Sequence, residues 1–130
     1  MISAALMCLA LTVYHEARGE EVVGQYAVAH VVMNRVKDER FPDNICDVVH
    51  EGYSKDHNLC QFSWYCDGQS DKPHEKKEWD TAIFVANNVM KDRIPDVTHG
   101  SLFYHANYVR PAWFKKLEHT VVIGQHIFYK

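Results

Sequence analysis

Leu6, Leu9 and Val13 recur at the spacing that lines one face of an α-helix, and the next position on that stripe is a carboxylate, Glu16. That feature limits the architectures open to the chain. A helix whose apolar face ends in an acid must either bury a bare charge or open onto a cleft at that point. Gly19 follows three residues later and predicts the helix end, with open space above the carboxylate. Apolar neighbours strip water from a carboxylate, disfavour its charged form and raise its pKa, the state wanted of a proton donor near neutral pH. Glu16 is therefore the candidate general acid. Glu20 is expected one turn further along the same face, where one carboxylate raises the pKa of the other. Arg18 is expected to point elsewhere, into an ion pair or a structural hydrogen bond.

At 130 residues the chain fits one domain, residues 1–130, able to bury a real core without metals or many disulfides. A net charge of -3 leaves no basic footprint for nucleic acid or acidic lipid. The apolar run from Ala4 to Tyr14 is shorter than the about 20 residues that span a bilayer, so no stable membrane insertion is expected. It also lacks a basic start and a small-residue cleavage site, so it reads as a leading helix and not as a signal peptide. Cys8, inside that helix, reads as a free buried thiol. Cys46, Cys60 and Cys66 leave room for one disulfide with one cysteine over, and their spacings fit no zinc pattern.

Further along, a second helix is expected from Val22 or Gly24 to Val36, with Val28, Val31, Val32 and Val36 inward. Ile45 to His50 reads as a short helix or strand, and Gly52 to Asn58 as a polar surface loop. Cys60-Gln-Phe-Ser-Trp-Tyr-Cys66 alternates as a strand does, and Asp67-Gly68 is a turn signal. Gln61 and Ser63 then share a face that offers hydrogen bonds to a polar ligand, while Phe62 and Trp64 share the other; a hairpin that merely plugs the core suits the pattern equally. Ser70-Asp71 with Pro73 predicts a helix start, and Trp79, Ala82, Ile83, Ala86, Val89 and Met90 keep helical spacing until Pro95 stops the run. Ser101 to His105 is a short aromatic strand, and Pro111 marks a loop over Ala106 to Trp113. Val121, Ile123, Ile127 and Tyr129 alternate along a final strand interrupted near Gly124. This order predicts an α+β domain, helices packed with a small antiparallel sheet.

Nine histidines raise the question of a metal. His15-Glu16 opens like the H-E-x-x-H zinc motif, but position 19 is glycine and the second helical ligand is missing. Neither a metal nor a cofactor is expected, and no nucleophile elbow or phosphate-binding glycine loop is present.

Tyr14-His-Glu-Ala-Arg-Gly-Glu20, Gly24-Gln25 with Ala27-Val28-Ala29, Asn34-Arg35-Val36, Cys60-Gln-Phe-Ser-Trp64, Tyr104-His105 and Ile123-Gly-Gln-His-Ile-Phe-Tyr129 resemble the SleB-type cell wall hydrolases. That family includes spore-cortex-lytic enzymes and related bacterial and phage proteins, and the resemblance runs in order along almost the whole chain. It implies a lysozyme-like, lytic-transglycosylase-related fold that cleaves peptidoglycan glycan strands between N-acetylmuramic acid and N-acetylglucosamine. Glu16 matches the catalytic glutamate and Glu20 the second glutamate of the motif, in a supporting role. Gln61, Phe62, Ser63, Tyr104 and His105 are expected along the glycan groove, with Ser63 and Tyr104 as the polar groups nearest an oxocarbenium-like centre. A lone Glu16 implies transglycosylation, ending in a 1,6-anhydro ring. Glu20 as a second carboxylate implies hydrolysis instead. A catalytically silent glycan-binding module is the competing class. The expected partner is the glycan strand, met by a monomer at the wall; a phage endolysin made in the cytosol and a trimmed catalytic domain both fit.

Overall fold

The computed structural model describes residues 2–51, 60–113 and 115–130, so the loop expected over 52–58 lies outside them. Four α-helices come first: α1 (Ala4–Ala17), α2 (Val22–Lys37), α3 (Ile45–Val49) and α4 (Lys76–Met90). Three strands follow, β1 (Phe103–Ala106), β2 (His119–Ile123) and β3 (His126–Tyr129), in an antiparallel sheet ordered β1-β3-β2. The α+β expectation holds.

Ser3 starts α1 by accepting the Leu6 amide on its hydroxyl at 3.1 Å, and Gly19, at φ +86°, carries the chain away from its end. Leu9, Val13 and Tyr14 of α1 are fully covered by the core, together with Val48 and Val49 of α3 and Val85 of α4. In α2, Val32 packs into that helical core, while Ala27 and Val31 pack on Phe128 of β3. Helix α2 is thus the layer through which the sheet is attached to the rest. Arg35 reinforces the joint. Its Nε donates to the Leu102 carbonyl at 2.7 Å, just ahead of β1, and its guanidinium lies over the rings of Phe41, Phe62 and Phe103 at 5.0 to 5.5 Å.

Five expectations need correction. Cys8 is not a free thiol: it is bonded to Cys46, because α3 lies against α1 and brings the two Cα atoms to 5.4 Å. Cys60 and Cys66 form a second disulfide, so no cysteine is left over. The 60–66 segment is not a strand. Closed on itself by that bond, it makes a 3-10 turn over Ser63–Tyr65, in which Tyr65 N donates to Phe62 O and Cys66 N to Ser63 O. Its sidedness survives nonetheless, with Phe62 and Trp64 buried and Gln61 and Ser63 exposed. Helix α4 begins at Lys76 and not near Pro73, since the preceding residues are held extended along the end of α1. There His15 Nε2 donates to the Asp71 carbonyl at 2.9 Å, and the Glu75 amide donates to the Tyr14 hydroxyl at 3.0 Å. Finally, the last strand is a hairpin: β2 and β3 pair with each other across a turn at Gly124, whose φ is +57°.

Candidate active site

Glu16 sits in the last turn of α1 and lines two clefts at once. One, of about 400 Å³, is walled by Arg35, Gln61, Phe62, Tyr104 and Trp113. The other, of about 280 Å³, lies past the helix end among Gly19, Glu20, Tyr108, Gln125 and His126. The residue keeps some access to solvent through these openings, but protein surrounds the carboxyl on most sides. Desolvation is accordingly the largest influence on it and pushes its pKa above the ordinary glutamate value. The Tyr104 hydroxyl, which donates to Glu16 Oε1, and the Arg35 charge act in the opposite direction without reversing the shift. Burial and the neighbouring carboxylate hold the Tyr104 phenol far above its usual pKa, so it remains a donor. The result is a largely dehydrated acid with one fixed hydrogen-bond donor and a cation nearby.

The residues beside Glu16 fasten the walls in place. His15 stacks on Trp64 with ring centroids 4.7 Å apart, and this contact with the Asp71 bond holds the segment carrying Gln61 and Phe62 against α1. Arg18 makes the structural bonds expected of it, but it does not point away from the site, since it lines the second cleft beside Glu16. It donates to the Tyr14 hydroxyl at 2.8 Å and pairs with Glu75 at 2.8 Å, tying the start of α4 to the end of α1. Among the described residues, no group of three or more His, Cys, Asp or Glu side chains is placed to hold a metal ion.

Residues 19–129 match the family described as Cell Wall Hydrolase. The chain belongs to that family. Among curated cell wall hydrolases it is similar to the spore cortex-lytic enzyme of Halalkalibacterium halodurans, 30% identical over 95% of this chain and 34% of that protein. It is likewise similar to the spore cortex-lytic enzyme of Bacillus subtilis, 31% identical over 92% of this chain and 35% of that one. The chain thus spans about a third of the length of these relatives. Among solved structures it resembles the catalytic domain of the germination-specific lytic transglycosylase SleB from Bacillus anthracis, with a TM-score of 0.79 at 27% identity. That match covers 100% of this chain and 97% of the other. The catalytic domain of Bacillus cereus SleB gives a TM-score of 0.71 at 28% identity, covering 97% and 89%. The fold of this cell wall hydrolase is therefore the lysozyme-like one that the resemblance implied.

Not every expected residue gathers at Glu16. Gln61, Phe62 and Tyr104 share its first cleft, and Glu20 lines the second. Glu20 is not on the helical face, because α1 ends at Ala17. Its carboxylate instead reaches the β2–β3 turn, with Oε1 3.3 Å from the Gln125 amide and 3.5 Å from His126 Nδ1. A Cβ at Gly124 would lie 3.2 Å from that same oxygen, so glycine lets the turn close on Glu20. Ser63 is exposed on the 3-10 turn and is not among the described residues lining either cleft. His105 is behind the sheet, since successive strand residues face opposite ways. Its Nδ1 donates to the Ala106 carbonyl at 2.8 Å, and its ring stacks on Tyr129. Arg35, Phe103 and Trp113 line the first cleft without having been singled out. Arg35 is legible only as the charged member of Asn34-Arg35-Val36 near the end of a largely buried helix.

Proposed function

We propose that this chain cleaves the glycan strands of peptidoglycan as a lytic transglycosylase, with Glu16 acting first as acid and then as base. The observation that carries this reading is the dehydrated Glu16 carboxyl, set between two clefts and held by Tyr104. Protonated Glu16 gives its proton to the glycosidic oxygen between N-acetylmuramic acid and N-acetylglucosamine. The C1–O bond breaks, the N-acetylglucosamine hydroxyl leaves, and positive charge develops at C1 of the muramic acid. The Glu16 carboxylate, stabilised by the Tyr104 hydroxyl and the Arg35 charge, then takes the proton of the muramic acid 6-hydroxyl. That oxygen bonds to C1, which closes the 1,6-anhydro ring and restores the acid without water. Gln61 and Phe62 line the path of the sugar, with Trp113 and the exposed Tyr108 as aromatic surfaces on the two sides of Glu16. The names of the relatives support the substrate class, and two disulfides suit work outside the reducing cytosol.

Digestion of purified peptidoglycan followed by mass spectrometry of the fragments tests this. The expected products end in anhydromuramic acid, one water lighter than reducing ends. Reducing ends would transfer the mechanism to hydrolysis, with Glu20 as the second carboxylate from the second cleft. Sacculi that are bound but release no soluble fragment would reduce the chain to a glycan-binding module.

Tyr104→Phe supplies a further test. Without the hydroxyl, the charged form of Glu16 loses a donor, so its raised pKa rises further. The maximal rate is expected to fall about tenfold, because the carboxylate left after proton transfer is less stabilised. The alkaline limb of the pH–rate profile, where the acid is lost, is expected to move to higher pH. A shift to lower pH would remove Tyr104 from this role.

A further inference from the structure

Tyr104 holds Glu16 by a single hydroxyl, so the aim of that phenol decides how good the bond is. A tyrosine ring turns about two torsions, and the outer one has broad preferences. Two rings on the same face of the sheet pack against it. Phe128, its cross-strand partner on β3, lies 5.5 Å away between centroids. His126, the diagonal neighbour on β3, meets it edge-on at 5.1 Å with the planes at 80°. Phe128 is fully buried against Ala27 and Val31 of α2.

His126 is the first residue of β3 and only 8% exposed, yet its Nδ1 has no hydrogen-bond partner among the described residues. A buried nitrogen left alone is costly, and the group that faces it is the Glu20 carboxylate, with Oε1 at 3.5 Å. That carboxylate favours the tautomer carrying its proton on Nδ1. The Gln125 amide donates to the same oxygen, and Gly124 leaves room for it at the turn. Glu20 and His126 share the second cleft with Glu16 and Arg18, while Arg35 and Tyr104 face Glu16 from the first. Burial, the largest influence on His126, holds its pKa below the ordinary histidine value against the pull of Glu20. The ring is therefore neutral at neutral pH and adds no charge beside Glu16. What it supplies is a surface in a fixed place. We propose that His126 is a positioning residue: held from behind by Glu20, its ring keeps Tyr104 aimed at the Glu16 carboxyl. The proposal rests on the reading of Glu16 as the acid, and it makes Glu20 a brace two contacts removed from the chemistry.

Kinetics and NMR on the full chain test it. H126A removes the ring and is expected to lower kcat about tenfold at unchanged KM. The alkaline limb of its pH–rate profile is expected to move to higher pH, the direction expected of Tyr104→Phe. H126F keeps a ring beside Tyr104 and is expected to stay within about threefold of the parent. E20Q frees the imidazole from its brace and is expected to lower kcat about threefold, which carries the test should H126A melt early. In a Tyr104→Phe background neither H126A nor E20Q should lower kcat further, because no hydroxyl is left to aim. Losses that add fully to that of Tyr104→Phe would overturn the proposal and give Glu20 the part of a second carboxylate. H126F as slow as H126A would also overturn it, in favour of chemistry at the imidazole nitrogens. The second measurement needs no substrate. The Tyr104 hydroxyl proton, assigned by its absence from Tyr104→Phe, is expected as a slowly exchanging downfield resonance, and H126A is expected to exchange it about tenfold faster. Equal exchange in the parent and H126A would overturn the proposal. Should E16Q cleave glycan as the parent does, the reading of Glu16 fails, while this resonance still decides what His126 holds.

Discussion

E16Q is expected to lower glycan cleavage about 10³-fold while leaving the fold intact, the scale on which a positioned proton donor acts. Glutamine keeps an oxygen for the Tyr104 hydroxyl and nearly the same volume, so nothing in the helix end or the sheet has cause to move. Stability should respond as well, with a definite sign. Folded Glu16 binds its proton more tightly than the unfolded chain does, because burial raises its pKa. Between the ordinary glutamate pKa and that raised value the folded state holds more protons, so parent stability falls as pH rises through the window. E16Q lacks this loss. Its melting temperature should exceed the parent's at neutral pH, and the difference should vanish below the ordinary glutamate range. A variant that clears peptidoglycan at the parent rate would end the assignment of Glu16. One that melts below the parent at neutral pH would show that its carboxyl is well solvated.

Removing the Cys8–Cys46 bond should produce the largest loss of stability. The bond closes 38 residues of sequence, and the loop entropy it removes from the unfolded chain amounts to about 4 kcal/mol. Domains of this size have only about 5–15 kcal/mol in total, so the double replacement C8A/C46A is expected to melt about 15 °C lower. Thermal unfolding followed by circular dichroism measures this directly, and reductant added to the parent should reproduce the shift. Cys60–Cys66 closes a much shorter loop and contributes about 2 kcal/mol on the same reasoning. Because that loop carries Gln61 and Phe62, its removal should appear in KM before it appears in melting. A fall of only a few degrees for C8A/C46A would mean that packing of α1 on α3 alone holds them together.

Local regularities of this chain are legible in its sequence, and contacts set by a distant partner are not. The helical stripe of Leu6, Leu9 and Val13 is a local regularity, and it led to Glu16 and to the break at Gly19. Alternation along 60–66 separates Gln61 and Ser63 from Phe62 and Trp64 even though the backbone there is a turn, since burial of the two aromatics does not depend on a strand. Failures came where a distant partner decides. Nothing near Cys8 announces Cys46 across 38 residues. Likewise, the helix signal at Ser70-Asp71 was overridden by bonds from His15 and Tyr14, which are more than 50 residues away. Glu20 was placed one helical turn beyond Glu16 on the assumption that the helix continues, and Gly19 had already argued that it does not. The resemblance groups His105 with Tyr104 along the groove, although neighbours on a strand put their side chains on opposite sides.

On β1 the side chains of Tyr104 and His105 part company: Tyr104 holds the carboxyl of Glu16, while His105 stacks on Tyr129 across the sheet. The two sides are nonetheless coupled, because Trp113 lines the Glu16 cleft and rests its ring edge-on against His105 and Tyr129. An engineer altering the back of the sheet would therefore keep His105 and Tyr129, the two rings on which that indole leans.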